Sequence, residues 1–77
     1  MVTTRSRIGI ATQHGGSWYH IRIALINEGA SNSFADYFVG FMKSTLNSKH
    51  SERCKYIYDV FVDYGECAAK MAILLLK

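Results

Sequence analysis

The chain contains 77 residues, 49% of them hydrophobic, and carries a formal net charge of +3 at pH 7. This length suits one domain covering residues 1–77, and the hydrophobic content excludes an intrinsically disordered chain. Two cysteines are too few for a secreted disulfide scaffold, the first residues lack the apolar stretch of a signal peptide, and the longest apolar run is too short for a membrane span. We therefore expect a soluble, cytoplasmic domain.

The first predicted element is a β-hairpin that turns at Gly15 and Gly16. Apolar residues occupy every second position on both sides of this glycine pair, from Ile8 to Ile26. Such alternation is typical of half-buried antiparallel strands, and two glycines accept the positive φ angles of a tight hairpin turn. Folding about the pair places Ile8 opposite Ile23.

The second predicted element is a helix from about Ser33 to Leu46. Phenylalanines and other apolar residues recur there at helical spacing and form one stripe. Ser33 and Asp36 have the spacing of a capping box, which predicts the start of the helix. Gly40 lies opposite the stripe and would allow close packing against a neighbouring element.

The last third of the chain predicts a second hairpin that turns at Tyr64 and Gly65. Residues 54–65 alternate again, and the turn would set Asp59 opposite Lys70, an opposite-charge pair. The composition of residues 66–77 also favours a helix. The predicted fold is therefore α+β, two hairpins with one helix packed on the sheet (ββαββ), and the alternative has a C-terminal helix (ββαβα).

The predicted sheet exposes more apolar surface than one helix can cover. The uncovered face of the second hairpin carries five apolar residues that we assign to self-association: Ile57, Phe61, Ala72, Leu74 and Leu76. Monomers rarely keep such a patch exposed, so a homodimer is expected. The alternative is that the C-terminal segment is a helix that covers this face itself.

The outward face of the first hairpin combines aromatic and basic side chains. It carries the candidate partner-binding residues Trp18, Arg22, Arg7, His20 and Arg5. Tryptophan and arginine anchor protein interfaces, and they also suit base stacking and phosphate contact. An ordinary solvated face, with arginine stems lying over the tryptophan, explains the same pattern.

The polar segment before the second hairpin supplies three further candidates, Lys49, Arg53 and Lys55, for polyanion binding. His50 and Cys54 are spaced four residues apart, which could pair an imidazole with a thiol, but no orienting acid or oxyanion donor is evident. The histidines and cysteines match no metal-ligand spacing. We therefore expect no cofactor, no metal and no catalytic site.

The favoured function is a non-enzymatic macromolecule-binding protein, acting as a protein-protein interaction module or inhibitor of a host complex through the aromatic and basic face. A small nucleic-acid-binding protein that uses the same ribbon is the alternative, and a thiol or metal enzyme is a third class. The overall profile is similar to that of small inhibitors encoded by phages and mobile elements, such as anti-CRISPR proteins. No motif carries that resemblance.

Overall fold

The computed structural model describes residues 2–76, and in that range it contains five α-helices and no strand. The helices are α1 (Thr4–His14), α2 (Trp18–Asn27), α3 (Asn32–Lys43), α4 (Ser48–Tyr64) and α5 (Glu66–Leu76). The predicted α+β fold is therefore wrong, both as ββαββ and as ββαβα.

The predicted first hairpin is a pair of antiparallel helices, α1 and α2. In α1 the buried residues are Ile8, Gly9, Ala11 and Thr12, which fall on one helical face, whereas Ile10 is 58% exposed. The Thr12 hydroxyl donates to the Ile8 carbonyl at 2.7 Å, so this buried polar group is satisfied inside its own helix. The turn itself was placed correctly, since Gly15 has a φ of 81° and ends α1.

Helix α3 confirms the one helix predicted from the sequence, with a different cap. Ser31, not Ser33, is the N-cap residue, and its hydroxyl accepts from the Phe34 N–H at 3.1 Å. The expectation for Gly40 is also wrong. A Cβ at this position would meet nothing within 4 Å, so the glycine is not needed for close packing.

The predicted second hairpin is replaced by α4 and α5, joined at Gly65 with a φ of 96°. The helix alternative for the C-terminal segment is therefore right. Asp59 does not face Lys70. Instead it forms an ion pair with Arg5 of α1 at 3.0 Å, and Lys70 lies over the Tyr37 ring.

Helix α4 is the central support of the bundle, because α1 and α5 both pack along it. It runs antiparallel to α1: Asp59 near its end meets Arg5, while the Ser51 hydroxyl near its start donates to the Gly9 carbonyl at 2.9 Å. The shared core contains side chains from all five helices, among them Ile8, Ile21, Leu25, Phe34, Phe38, Met42, Ile57, Phe61 and Ile73.

Candidate interaction surfaces

The five candidate partner-binding residues do not share one face, because the sheet that would align them is absent from residues 2–76. Arg5 and Arg7 belong to α1, and the other three residues belong to α2. Two of the three guanidinium groups are engaged within the chain. Arg5 pairs with Asp59 at 3.0 Å, and Arg22 pairs with Asp36 of α3 at 2.5 Å.

The remaining members of that set are also separated. Trp18 is half-buried and packs against the core, one helical turn from Arg22. His20 is exposed, and its position two residues after Trp18 puts it on a different side of α2. Arg7 is exposed and lines a small cavity of about 170 Å³ beside the glycine turn of residues 15–16.

The three candidate polyanion-binding residues lie on two sides of α4. Lys49 and Arg53 are one turn apart and share a face. Lys55 lies on the α1 side, where its Cδ would be 3.3 Å from a Cβ added at Gly9. The structure therefore brings two of the three together and removes Lys55 from the group.

His50 and Cys54 do meet, but not as a catalytic pair. The Cys54 sulfur lies 3.5 Å from Nε2 of His50, and that Nε2 lies 3.0 Å from the Phe41 carbonyl oxygen. Cys54 is fully buried, and burial raises the pKa of its thiol from 9.0 to about 12. The thiol is therefore protonated near neutral pH, and a protonated thiol is a poor nucleophile.

Most of the residues assigned to self-association lie in the core or pack against it. Ile57 and Phe61 are buried, and Ala72 and Leu76 are half-buried against the core cluster. The predicted sheet face is absent from residues 2–76. Only Leu74 keeps a large exposed fraction, 61%.

Leu74 belongs to an exposed surface that we call the α5 stripe, formed by Cys67, Met71, Leu74 and Leu75. All four residues fall within one side of the helix, at spacings of three, four and one residues. Met71 is 65% exposed and Leu75 is 86% exposed. Sequence reasoning missed these two positions because it read residues 66–76 with a strand period. A helical period separates them from the buried Ala69 and Ile73.

Two larger clefts lie between helices. The first, about 660 Å³, lies where the α2–α3 and α4–α5 connections meet, and two of its lining residues are Glu28 and Glu66. Both carboxylates are engaged: the Tyr58 hydroxyl donates to Glu28, and the Ser31 N–H donates to Glu66 at 2.9 Å. Burial and the hydrogen bond to Glu28 raise the pKa of Tyr58 to about 12.

The second cleft, about 560 Å³, lies between α3, α4 and α5. We call it the α3–α5 cleft, and its lining residues are Asp36, Tyr37, Gly40, Phe41, Ser44, Thr45, His50, Arg53 and Leu76. It contains apolar and aromatic surface together with the guanidinium group of Arg53, which has no partner among residues 2–76. Sequence reasoning singled out His50, Arg53 and Leu76, but it could not place them at one site.

Within the described residues, no group of three potential metal ligands comes together, and no helix is both long and apolar enough to cross a membrane. The chain matches no protein-family model, no curated protein and no solved structure.

Proposed function

We propose that this chain is a non-enzymatic protein-interaction module and that the α5 stripe is its contact surface. The observation that carries the proposal is the exposure of Met71, Leu74 and Leu75, between 61% and 86%, on one side of the C-terminal helix. Neighbouring large aliphatic side chains on one helix face are a common anchor for insertion into an apolar groove.

The size of the stripe suggests what kind of contact it makes. Full burial of a large aliphatic side chain stabilises by about 1.5–3 kcal/mol, so covering the exposed parts of these three residues contributes about 3–6 kcal/mol per chain. Association costs roughly 4–15 kcal/mol. A symmetric dimer buries two stripes and gains about 6–12 kcal/mol, which is close to this cost, so a dimer through the stripe alone would be weak. A partner groove that also covers the flanks of α5 would bind more tightly.

The basic residues give less support to the nucleic-acid alternative. Arg5 and Arg22 are neutralised by Asp59 and Asp36, and Lys55 lies apart from the other cations of α4. A phosphate backbone is bound by several unpaired cations along one track. A protein contact through the α5 stripe requires no alignment of cations.

Site-specific photo-cross-linking tests the proposal. A photoreactive residue in place of Leu75, in cells that express the chain, should form a protein adduct. The mass of the adduct separates a second copy of the chain from another protein. The matched control carries the same group in place of Ile10, which is 58% exposed on α1 and outside the stripe.

A second variant tests whether the adduct depends on the α5 stripe. Leu74→Gln should remove the adduct formed at position 75 while lowering the free energy of unfolding by only about 1 kcal/mol, because Leu74 is 61% exposed. The proposal is wrong if position 75 forms no adduct, if positions 10 and 75 form the same adducts, or if Leu74→Gln leaves the adduct in place.

A further inference from the structure

The α3–α5 cleft has the size and lining of a small-molecule site. Its volume of about 560 Å³ falls within the range of about 300–1,000 Å³ that is typical of such sites. Phe41 and Leu76 supply apolar surface, and Gly40 leaves open space, because a Cβ there would meet nothing within 4 Å. The cleft can therefore accept an apolar body.

Arg53 gives the cleft an available cation. Within residues 2–76 its guanidinium makes no hydrogen bond and no ion pair, in contrast to Arg5 and Arg22. Arg53 lies in the second turn of α4, and the first turn of that helix carries no acidic residue. No carboxylate of the first turn therefore offsets the positive end of the helix dipole.

His50 adds a hydrogen-bonding atom to the same wall. A carbonyl oxygen can only accept, so Nε2 carries the proton and donates to the Phe41 carbonyl at 3.0 Å. The other ring nitrogen, Nδ1, has no hydrogen bond among the described residues, and no buried side-chain nitrogen or oxygen there lacks a partner. Nδ1 is therefore accessible, although only 6% of the His50 surface is exposed, and the ring lines the cleft.

We propose that the α3–α5 cleft binds a small organic monoanion, a carboxylate carried on an apolar body. The carboxylate pairs with the planar guanidinium of Arg53, and the apolar body lies over Gly40 against Phe41. His50 Nδ1 accepts a hydrogen bond from a hydroxyl or amide donor next to the carboxylate.

The charges around the cleft favour one negative charge on the ligand over two. Asp36 also lines the cleft, and its carboxylate is balanced by Arg22 at 2.5 Å. The Nε2–H of His50 is already engaged by the Phe41 carbonyl at 3.0 Å. Arg53 is therefore the one strong donor that a ligand anion would meet among these groups, and one guanidinium matches one carboxylate.

An NMR titration of the full chain with phenyllactate tests this assignment, because phenyllactate combines a carboxylate, a neighbouring hydroxyl and an apolar ring. Phenyllactate should shift the amide signals of Gly40 and Ser44. Phenyllactamide lacks the charge and lactate lacks the apolar body, so each should bind at least about tenfold more weakly.

Matched variants test whether phenyllactate binds in the α3–α5 cleft. Arg53→Gln should weaken phenyllactate binding about tenfold, whereas Lys55→Gln removes the same charge from another side of α4 and should leave the affinity unchanged. Gly40→Leu should abolish binding by filling the cleft, and Gly40→Ala should preserve it. The proposal is overturned if phenyllactate shifts no cleft residue, if all three probes bind equally, or if Arg53→Gln and Lys55→Gln behave alike.

Discussion

Separate alanine substitutions at Ile73 and Leu75 distinguish a helical C-terminal segment from an extended one. In a helix these positions are about 200° apart, and in a strand they share a face. Ile73 is fully buried, whereas Leu75 is 86% exposed. The helical structure therefore predicts very unequal losses of stability for two residues of nearly equal hydrophobicity.

The expected difference follows from burial. Ile73→Ala removes core side-chain atoms and should lower the free energy of unfolding by about 2–5 kcal/mol. Leu75 is 14% buried by difference from its 86% exposure, so Leu75→Ala should cost only about 0.2–0.4 kcal/mol. In a domain of this size the first change lowers Tm by at least about 8 °C and the second by less than about 4 °C.

Urea unfolding followed by far-UV circular dichroism measures both losses, because the native signal of the described residues is helical. A chain of this length has a total stability of about 4–12 kcal/mol. Ile73→Val, with an expected cost of about 0.5–1.5 kcal/mol, keeps the comparison possible if the alanine variant does not fold. Equal losses at positions 73 and 75 would refute the helical assignment of α5.

Three further predictions concern caps, helix propensity and the buried thiol. Ser31→Ala should cost about 1 kcal/mol in urea unfolding because it removes the α3 cap, whereas Ser33→Ala should cost less than about 0.5 kcal/mol. Gly40→Ala should raise the free energy of unfolding by about 1 kcal/mol, since the added methyl meets no atom within 4 Å. The pKa of Cys54 is raised to about 12 in the folded chain, so its stabilising effect is complete below pH 9 and is lost as the pH rises toward 12. At pH 10.5 the contribution of Cys54 to this loss should be about 2 kcal/mol, and Cys54→Ala should remove that contribution.

Each of these has an outcome that would contradict it. If Ser33→Ala lowered the free energy of unfolding more than Ser31→Ala, Ser33 would be the N-cap of α3, as the sequence predicted. Destabilisation by Gly40→Ala would mean that the position is crowded. Tyr58 also has a pKa raised to about 12, so Cys54→Ala should reduce the alkaline loss without abolishing it, and identical pH profiles would remove the thiol from the explanation.

The sequence located two of the chain reversals correctly, at Gly15 and Gly65, and misjudged what they connect. Gly15 and Gly65 lie at the predicted turns and both adopt positive φ, but they join antiparallel helices. A tight link between two helices and a tight link between two strands both need a left-handed residue. Glycine therefore marks the reversal of the chain without identifying the flanking structure.

The strand predictions failed because apolar residues in α1 and α2 satisfy two periods at once. Ile8, Ile10 and Thr12 alternate, yet α1 buries Ile8, Gly9, Ala11 and Thr12 and leaves Ile10 58% exposed. β-Branched residues such as isoleucine and threonine favour strands, and packing in the bundle overrode that preference. Helix α3 was predictable because its phenylalanines fit only the helical period.

The candidate surfaces were predictable in residue type and not in arrangement. Surplus apolar surface was expected, and the α5 stripe is exposed, but Ile57 and Phe61 were assigned to that surface and lie in the core. Pairs such as Arg5 with Asp59 join residues 54 positions apart in the chain. No local pattern indicates such a contact, so the neutralisation of these arginines is visible only in the folded chain.

The packing of α1 on α4 has a consequence for folding during synthesis. The Gly9 carbonyl accepts a hydrogen bond from the Ser51 hydroxyl, so α1 finds its main neighbour only after some forty further residues have been made. Until α4 has emerged from the ribosome, Ile8 lacks part of its packing surface. In a truncated nascent chain this side chain therefore stays exposed and can be bound by chaperones. Ribosome-bound fragments ending before and after α4 should therefore differ sharply in protease resistance.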